Sequence, residues 1–300
     1  MKYINIEFKN EQDKIDFVNE CERDFEARLS EASKRVINSK NMNVLLSGPT
    51  CSGKTTTANK IIEDYHNIGK AVTVISIDDF FYDRLEERAI NEDEKIDYDS
   101  VDVIDLDLLG ECVKNAKPLS NIKVPIFDFV SQSRVGYNAH YITEDEVLLY
   151  EGIQAVYPEV TSLFDNNFIG IFINVNEDVC INGTVFERDE IRLIRRLVRD
   201  RKFRGADADF TFYLWQTVRE NEDKSIFPNK NICEIQLDSF MGYELFVIKP
   251  YIEATLAEVK PESKYYASAR ALLDKFSGLD EINYDYIPKN SLYTEFLGKK

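Results

Sequence analysis

Three hundred residues, 44% of them hydrophobic, suit one large α/β domain or one domain with appendages and supply ample material for a core. A net charge of −17, from 54 acidic against 37 basic residues, excludes general affinity for nucleic acid or an anionic membrane surface. The five scattered cysteines show no C-x-x-C spacing, and with no apolar leader and no long apolar stretch they predict reduced thiols in a cytoplasmic protein.

The chain opens with a strand-like run, Tyr3 to Phe8, and continues as a charged amphipathic helix whose Ile15, Phe17, Val18, Cys21, Phe25 and Leu29 share one face. Residues 1–40 read as a strand-and-helix extension packed on a domain spanning 41–260, with 261–300 as a C-terminal helix and tail. Next comes N-V-L-L-S-G-P-T-C-S-G-K-T-T-T at 43–57, where Gly48, Gly53, Lys54 and Thr55 satisfy G-x-x-x-x-G-K-[ST] between an apolar strand and a helical segment, Thr56 to Tyr65. Glycines at 48 and 53 permit backbone conformations that a Cβ would oppose. Gly48, Pro49, Thr50, Cys51, Ser52, Gly53, Lys54, Thr55 and Thr56 therefore form a nucleotide-binding loop, its N–H groups wrapped around phosphate oxygens at a positive helix N-terminus. Lys54 supplies a point charge for the β and γ phosphates, and the Thr55 hydroxyl is placed to ligate Mg²⁺. Cys51 lies where a thiolate would be favoured, although an inert small loop residue is its default reading.

Ala71 to Ile77 is a β-branched run fit for a buried parallel strand. It ends in Asp78-Asp79, and α/β folds place catalytic groups at such carboxyl ends. Neighbours in an extended segment project oppositely, so only one acid, Asp78, is expected to face the phosphates, with Asp79 satisfying backbone donors of the next turn. Residues 83–99 are acidic and polar, predicting a solvated, mobile loop, with Asp99 at its end set apart. Val101 to Val113 reads as a helix, and Ile122 to Phe129 as a strand that Pro125 pushes toward an edge. E-V-L-L-Y at 146–150 runs into Glu151-Gly152, the arrangement expected of a Mg²⁺ acid at a strand end.

After a buried strand at Phe168 to Val175, Arg192, Arg195, Arg196 and Arg199 fall at i, i+3, i+4 and i+7, with Arg201, Lys202 and Arg204 extending the cluster to Gly205. An acidic protein that binds ATP must concentrate positive charge locally, so this segment reads as an arginine-rich lid, about 186–228. Arg192 and Arg195 are its candidates for neutralising the transferring phosphoryl group, and Arg199 and Arg204 for holding the nucleotide. An aromatic segment (Phe210, Phe212, Tyr213, Trp215), a strand at Ile232 to Leu237, a helix from Tyr243 to Val259 containing Pro250, and a helix from Tyr265 to Phe276 complete the chain. Asn229-Lys230 superficially matches a guanine-reading N-K-x-D, but Ile232 stands where the aspartate would be, leaving GTP specificity unsupported.

With these residues in hand, the chain resembles the uridine kinase and phosphoribulokinase family of phosphate-loop kinases. Five motifs match in order: G-P-T-C-S-G-K-T-T at 48–56, I-S-I-D-D-F-F at 75–81, Y-D-S-V-D-V-I-D at 98–105, V-P-I-F-D-F-V-S-Q-S-R at 124–134 and E-G-I at 151–153. I-R-L-I-R-R-L-V-R-D-R-K-F-R-G at 191–205 looks like the family's lid. W-Q-T-V-R-E-N-E at 215–222, S-I-F-P at 225–228 and I-P-K-N-S-L at 287–292 are similar to a longer bacterial branch of uridine-kinase-like nucleoside kinases.

The resemblance implies a P-loop NTPase fold, α/β with a mostly parallel sheet flanked by helices on both faces and an arginine-rich helical lid. It further implies that Asp78 is the general base and a Mg²⁺-linked acid, that Glu151 assists at the metal, and that Asp99 binds ribose hydroxyls. Arg192 and Arg195 match lid arginines. Phe127, Gln132 and Arg134 fall in the stretch that recognises the base, but Phe127 and Gln132 replace a tyrosine and a histidine of uridine kinases. The expected activity is Mg·ATP-dependent phosphorylation of a nucleoside 5′-hydroxyl, uridine first. The same chemistry on a sugar phosphate or another small alcohol is the alternative, and a nucleotide-dependent switch the third reading. The expected partner is a small molecule, with no nucleic acid and no membrane; homo-oligomerisation stays open.

Overall fold

The computed structural model describes residues 1–83 and 97–298, so most of the loop expected at 83–99, residues 84–96, lies outside the described residues. In chain order the elements are β1 (Lys2–Ile4), α1 (Glu11–Ser39), β2 (Asn43–Ser47), α2 (Lys54–Asn67) and β3 (Val72–Ser76). They continue with α3 (Leu106–Asn115), β4 (Asn121–Asp128), β5 (Ser133–Tyr141), β6 (Val147–Glu151), α4 (Pro158–Thr161) and β7 (Ile169–Asn174). The last third adds β8 (Val179–Ile181), β9 (Thr184–Phe186), α5 (Arg188–Arg204), α6 (Ala208–Asn221), β10 (Ile235–Asp238), α7 (Glu244–Leu256), α8 (Tyr266–Phe276) and α9 (Thr294–Leu297).

Five strands form one wholly parallel sheet in the order β10-β7-β2-β6-β3. Helices cover both faces, which is why β2, β6 and β7 are continuous apolar runs rather than alternating ones. The pleat still sorts their side chains. Val44, Leu46, Leu149, Ile171 and Ile173 pack with residues of α1, α2, α5 and α7 on one face. Leu45, Leu148, Tyr150 and Phe172 pack toward α3 and α4 on the other.

The sheet differs from the sequence reading at its margins. β3 is an edge strand, not a buried one, and Val74 is 41% exposed. The strand containing Pro125 leaves this sheet: β4 pairs antiparallel with β5 in a separate two-stranded ribbon, where a residue without an N–H leaves no buried ladder incomplete. The helix expected at 101–113 divides into a short turn, Val101–Val103, and α3, because the Asp105 carboxylate accepts a bond from Leu108 N at 3.0 Å and starts the helix there. Pro250 sits inside α7 without interrupting it.

The ends of the chain are tied into the domain. β1 pairs in parallel with β8, and β8 turns into β9 through Asn182-Gly183, whose φ angles of 48° and 87° suit a tight two-residue hairpin. α1 starts at an Asn10 cap and buries Val18, Phe25, Leu29 and Val36 in the main core. At the other end, α9 packs on α5. The five cysteines are free thiols, and among the described residues no helix is long and apolar enough to cross a membrane.

A fully buried ion pair joins α5 to α7. Arg195 Nε and Nη2 donate to the Glu244 carboxylate at 2.8 and 3.1 Å, and Nη1 and Nη2 reach Cys51 O, Ser239 Oγ and Ser239 O at 3.0 to 3.1 Å. All five guanidinium N–H groups are thereby used, which is what makes burial of the charge tolerable. Glu244→Ala should strand the cation and lower stability by about 3–5 kcal/mol, whereas Arg195→Met with Glu244→Leu should recover most of that loss. Urea denaturation of the two variants measures the difference, and equal losses would contradict this account.

Candidate active site

Parallel register assembles the site. Leu46 of β2 pairs with Glu151 of β6, and Glu151 pairs with Ser76 of β3, so three strands end at one level. From that edge emerge the loop after Ser47, the Ile77–Phe80 turn carrying Asp78, and Glu151 itself.

The loop can take its path only with glycine at its ends. A Cβ on Gly48 would lie 2.2 Å from Ile173 O and 2.6 Å from Ser52 Oγ. Gly53, at φ +102°, begins α2 in the left-handed region, and a Cβ there would meet Leu292 Cδ1 at 2.3 Å. Cys51 is buried, has φ 58°, and offers its carbonyl to Arg195. The Lys54 ammonium lies across the loop and donates to Gly48 O at 2.9 Å and Pro49 O at 3.4 Å.

A cavity of about 370 Å³ brings Lys54 and Thr55 together with Asp78, Glu151, Arg199, Arg204 and Glu295. Burial, then the neighbouring Glu151 charge, pushes the Asp78 carboxyl up to about 7, against the opposing pull of Lys54. Glu151 Oε2 is buried without a hydrogen-bond partner. An orphaned carboxylate oxygen facing a second acid and a lysine suits a hard cation, whereas for a purely structural residue it would be an uncompensated loss. Two acids and the Thr55 hydroxyl suit Mg²⁺, which keeps several waters and takes further ligands from substrate phosphates. No cluster of three or more His, Cys, Asp or Glu stands ready for a metal among the described residues.

Asp79 turns the other way. Its Oδ1 accepts a bond from Phe127 N at 3.2 Å, so it ties the ribbon to the sheet rather than satisfying donors of the next turn. Asp99 is enclosed, and burial followed by Asp97 raises its carboxyl to about 6 while Arg196 and Lys54 act in the opposite sense. Phe81, Tyr98, Phe127 and Phe129 form an aromatic group with ring centroids 5.2 to 6.4 Å apart. Gln132 Nε2 donates to Tyr98 OH at 3.0 Å on its border. Arg134 donates to Asp105 Oδ2 at 2.7 Å and to Phe81 O at 3.0 Å, contacts that hold the ribbon in place.

The arginine segment corrects the lid expectation most sharply. Arg192 and Arg195 are fully buried: Arg192 pairs with Glu222 at 2.5 Å and Asp189 at 2.7 Å, and Arg195 with Glu244. Their helix packs against α6, α7 and α9, and carboxylates that are distant in sequence capture both charges. Arg199 and Arg204 do line the cavity, and both also contact Asp200.

Two positioning groups escaped the sequence reading. Gln154 Nε2 donates to Tyr98 O at 2.8 Å and Tyr157 OH to Asp99 O at 2.7 Å, clipping the backbone that carries Asp99. Their place just beyond Glu151-Gly152 is the only signal that could have flagged them. Tyr157→Phe should raise KM for the acceptor severalfold with little change in kcat, and equal KM values would remove this role.

The Asp78 shift sets a pH dependence. Between about pH 4 and 7 the folded chain keeps a proton that an ordinary carboxyl, at 3.8, has released, so this group's contribution to stability falls as pH rises through that window. Asp78→Asn should therefore stabilise the unliganded chain by on the order of 1–3 kcal/mol at pH 8 and by little at pH 4. Denaturant midpoints at the two pH values test this, and equal shifts at both would refute it.

A profile of the Phosphoribulokinase / Uridine kinase family matches residues 44–242. A uridine kinase of Ureaplasma urealyticum is 29% identical over 195 residues, covering 65% of this chain and 86% of the relative. One of Staphylococcus aureus is 30% identical over 192 residues, covering 63% of this chain and 84% of the relative. A uridine kinase of Saccharomyces cerevisiae is 32% identical over 264 residues, 85% of this chain but 49% of the yeast protein, so the chain spans about half that relative's length. The matched span begins in β2 and ends beyond β10, taking in every strand that carries the phosphate loop and the two acids. This chain belongs to the phosphoribulokinase and uridine kinase family, and is an ATP-dependent small-molecule phosphotransferase.

Proposed function

We propose that the protein transfers the γ-phosphoryl group of Mg·ATP to the 5′-hydroxyl of a pyrimidine nucleoside, with uridine the first candidate. The observation that carries this reading is the cavity in which Asp78 and Glu151 face Lys54 and Thr55 at the common strand edge. Asp78 accepts the proton of the attacking hydroxyl, a role suited to a carboxyl held near neutrality. Thr55 and Glu151, with Asp78, would hold Mg²⁺ directly or through water, and the ion would supply charge that offsets that of the nucleotide phosphate oxygens. Lys54 reaches the same oxygens, and Arg199 and Arg204, rather than Arg192 and Arg195, supply the remaining positive charge at the cavity.

The acceptor reading rests on the surroundings of Asp99. Its carboxylate suits a pair of ribose hydroxyls, and the neighbouring aromatic group offers apolar faces for a flat base, with Gln132 able to donate and accept at its edge. The named relatives are uridine kinases, which favours the same acceptor. Phe127 brings no hydroxyl to base recognition, so discrimination among pyrimidines falls to Gln132.

A product-mass screen of nucleosides, sugar phosphates and simple alcohols with Mg·ATP tests the proposal. Uridine or another pyrimidine nucleoside should turn over, Asp78→Asn should lower kcat by about 10² to 10⁴-fold, and Asp99→Ala should raise KM for ribosides selectively. Turnover of non-nucleosides alone would move the acceptor to another alcohol and retain the chemistry.

A further inference from the structure

Glu295 reaches the phosphate loop from the far end of the sequence. Its Oε1 accepts bonds from Thr56 N, at 2.5 Å, and from Thr56 Oγ1. Both donors belong to the first turn of α2, where backbone N–H groups have no partner within the helix and where this kind of loop receives nucleotide phosphates. The carboxylate thus uses a donor that a bound nucleotide requires.

The surrounding segment is built across the loop. Leu292 Cδ1 occupies the space a Gly53 side chain would fill, Tyr293 OH donates to Glu244 O at 3.1 Å, and Phe296 lies under the Arg195 guanidinium with 5.0 Å to the ring centroid. Glu295 and Thr55 border two cavities at once, the one of about 370 Å³ that contains Asp78 and another of about 420 Å³ on the side of Lys60 and Glu63. Withdrawal of the side chain would open one toward the other along the start of α2.

We propose that Glu295 is a tethered anion that competes with the donor nucleotide for the phosphate loop, so that nucleotide binding requires its carboxylate to leave Thr56 and α9 to loosen. Two anions cannot share the Thr56 N–H, and their repulsion at such a distance grows as water is excluded. α9 is a single turn, too short to be stable alone, and the Thr56 bonds help hold it against α2. The inference rests on the assignment of this loop as the phosphoryl-donor site.

Calorimetric binding of Mg·ATP and Mg·ADP to the full chain, compared with Glu295→Gln and Glu295→Ala, tests it. If the closed form holds about nine-tenths of the population, both variants should bind about tenfold more tightly. Equal affinity overturns the proposal while leaving the donor site intact, and weaker affinity also overturns it, making Glu295 a ligand of the nucleotide. Absence of nucleotide binding in all three proteins overturns the donor-site assignment as well. Should neither variant fold, amide exchange in the wild-type chain decides: rates over Ser291 to Leu297 should rise when Mg·ATP is added, and unchanged rates refute the competition.

Discussion

The structure depends on the level at which three parallel strands stop. Because Leu46, Glu151 and Ser76 pair in register across β2, β6 and β3, the phosphate loop and both acids leave the sheet on the same edge. A slip of one residue in β3 or β6 would turn its apolar side chains to the opposite face and move its acid away from Lys54, so core packing and site geometry are enforced by the same hydrogen bonds. Gly48 adds a steric lock, since its contact with Ile173 O presses the loop against β7.

Charge is distributed with the same economy. In a chain of net charge −17, the arginine-rich helix is the densest store of positive charge, yet much of it is spent inside the protein. Glu222 and Glu244 hold Arg192 and Arg195, and Asp200 contacts Arg196, Arg199 and Arg204. Buried pairs of this kind add little net stability over apolar packing, but they define one arrangement of α5 against α6 and α7. The guanidinium groups left at the cavity, Arg199 and Arg204, are those near the end of the helix, where the chain turns away from the core.

The C-terminal segment makes the site a product of both ends of the chain. Leu292 closes over Gly53, Glu295 bonds to Thr56, and Phe296 packs under the arginine whose other contacts fix Cys51 and Ser239. Loop conformation, the buried ion pair and the final helical turn therefore form one continuous set of contacts.

Motifs whose chemistry is local were legible in the sequence. The glycine spacing around Lys54, the apolar runs of β2, β6 and β7, and acids placed at strand ends each follow from backbone sterics or strand period, which a stretch of ten residues already contains. Partners far apart in the chain were not legible. Spacing alone put four arginines on one helix face, but whether that face met solvent, phosphate or carboxylate depended on Glu222 and Glu244 arriving from other helices. Likewise β4 looked like a strand and is one, while its place outside the main sheet, the Gln154 and Tyr157 clips on Asp99's backbone, and the approach of Glu295 to Thr56 were decided by tertiary packing. Side-chain period fixes which residues share a face, but only the assembled core decides what that face meets.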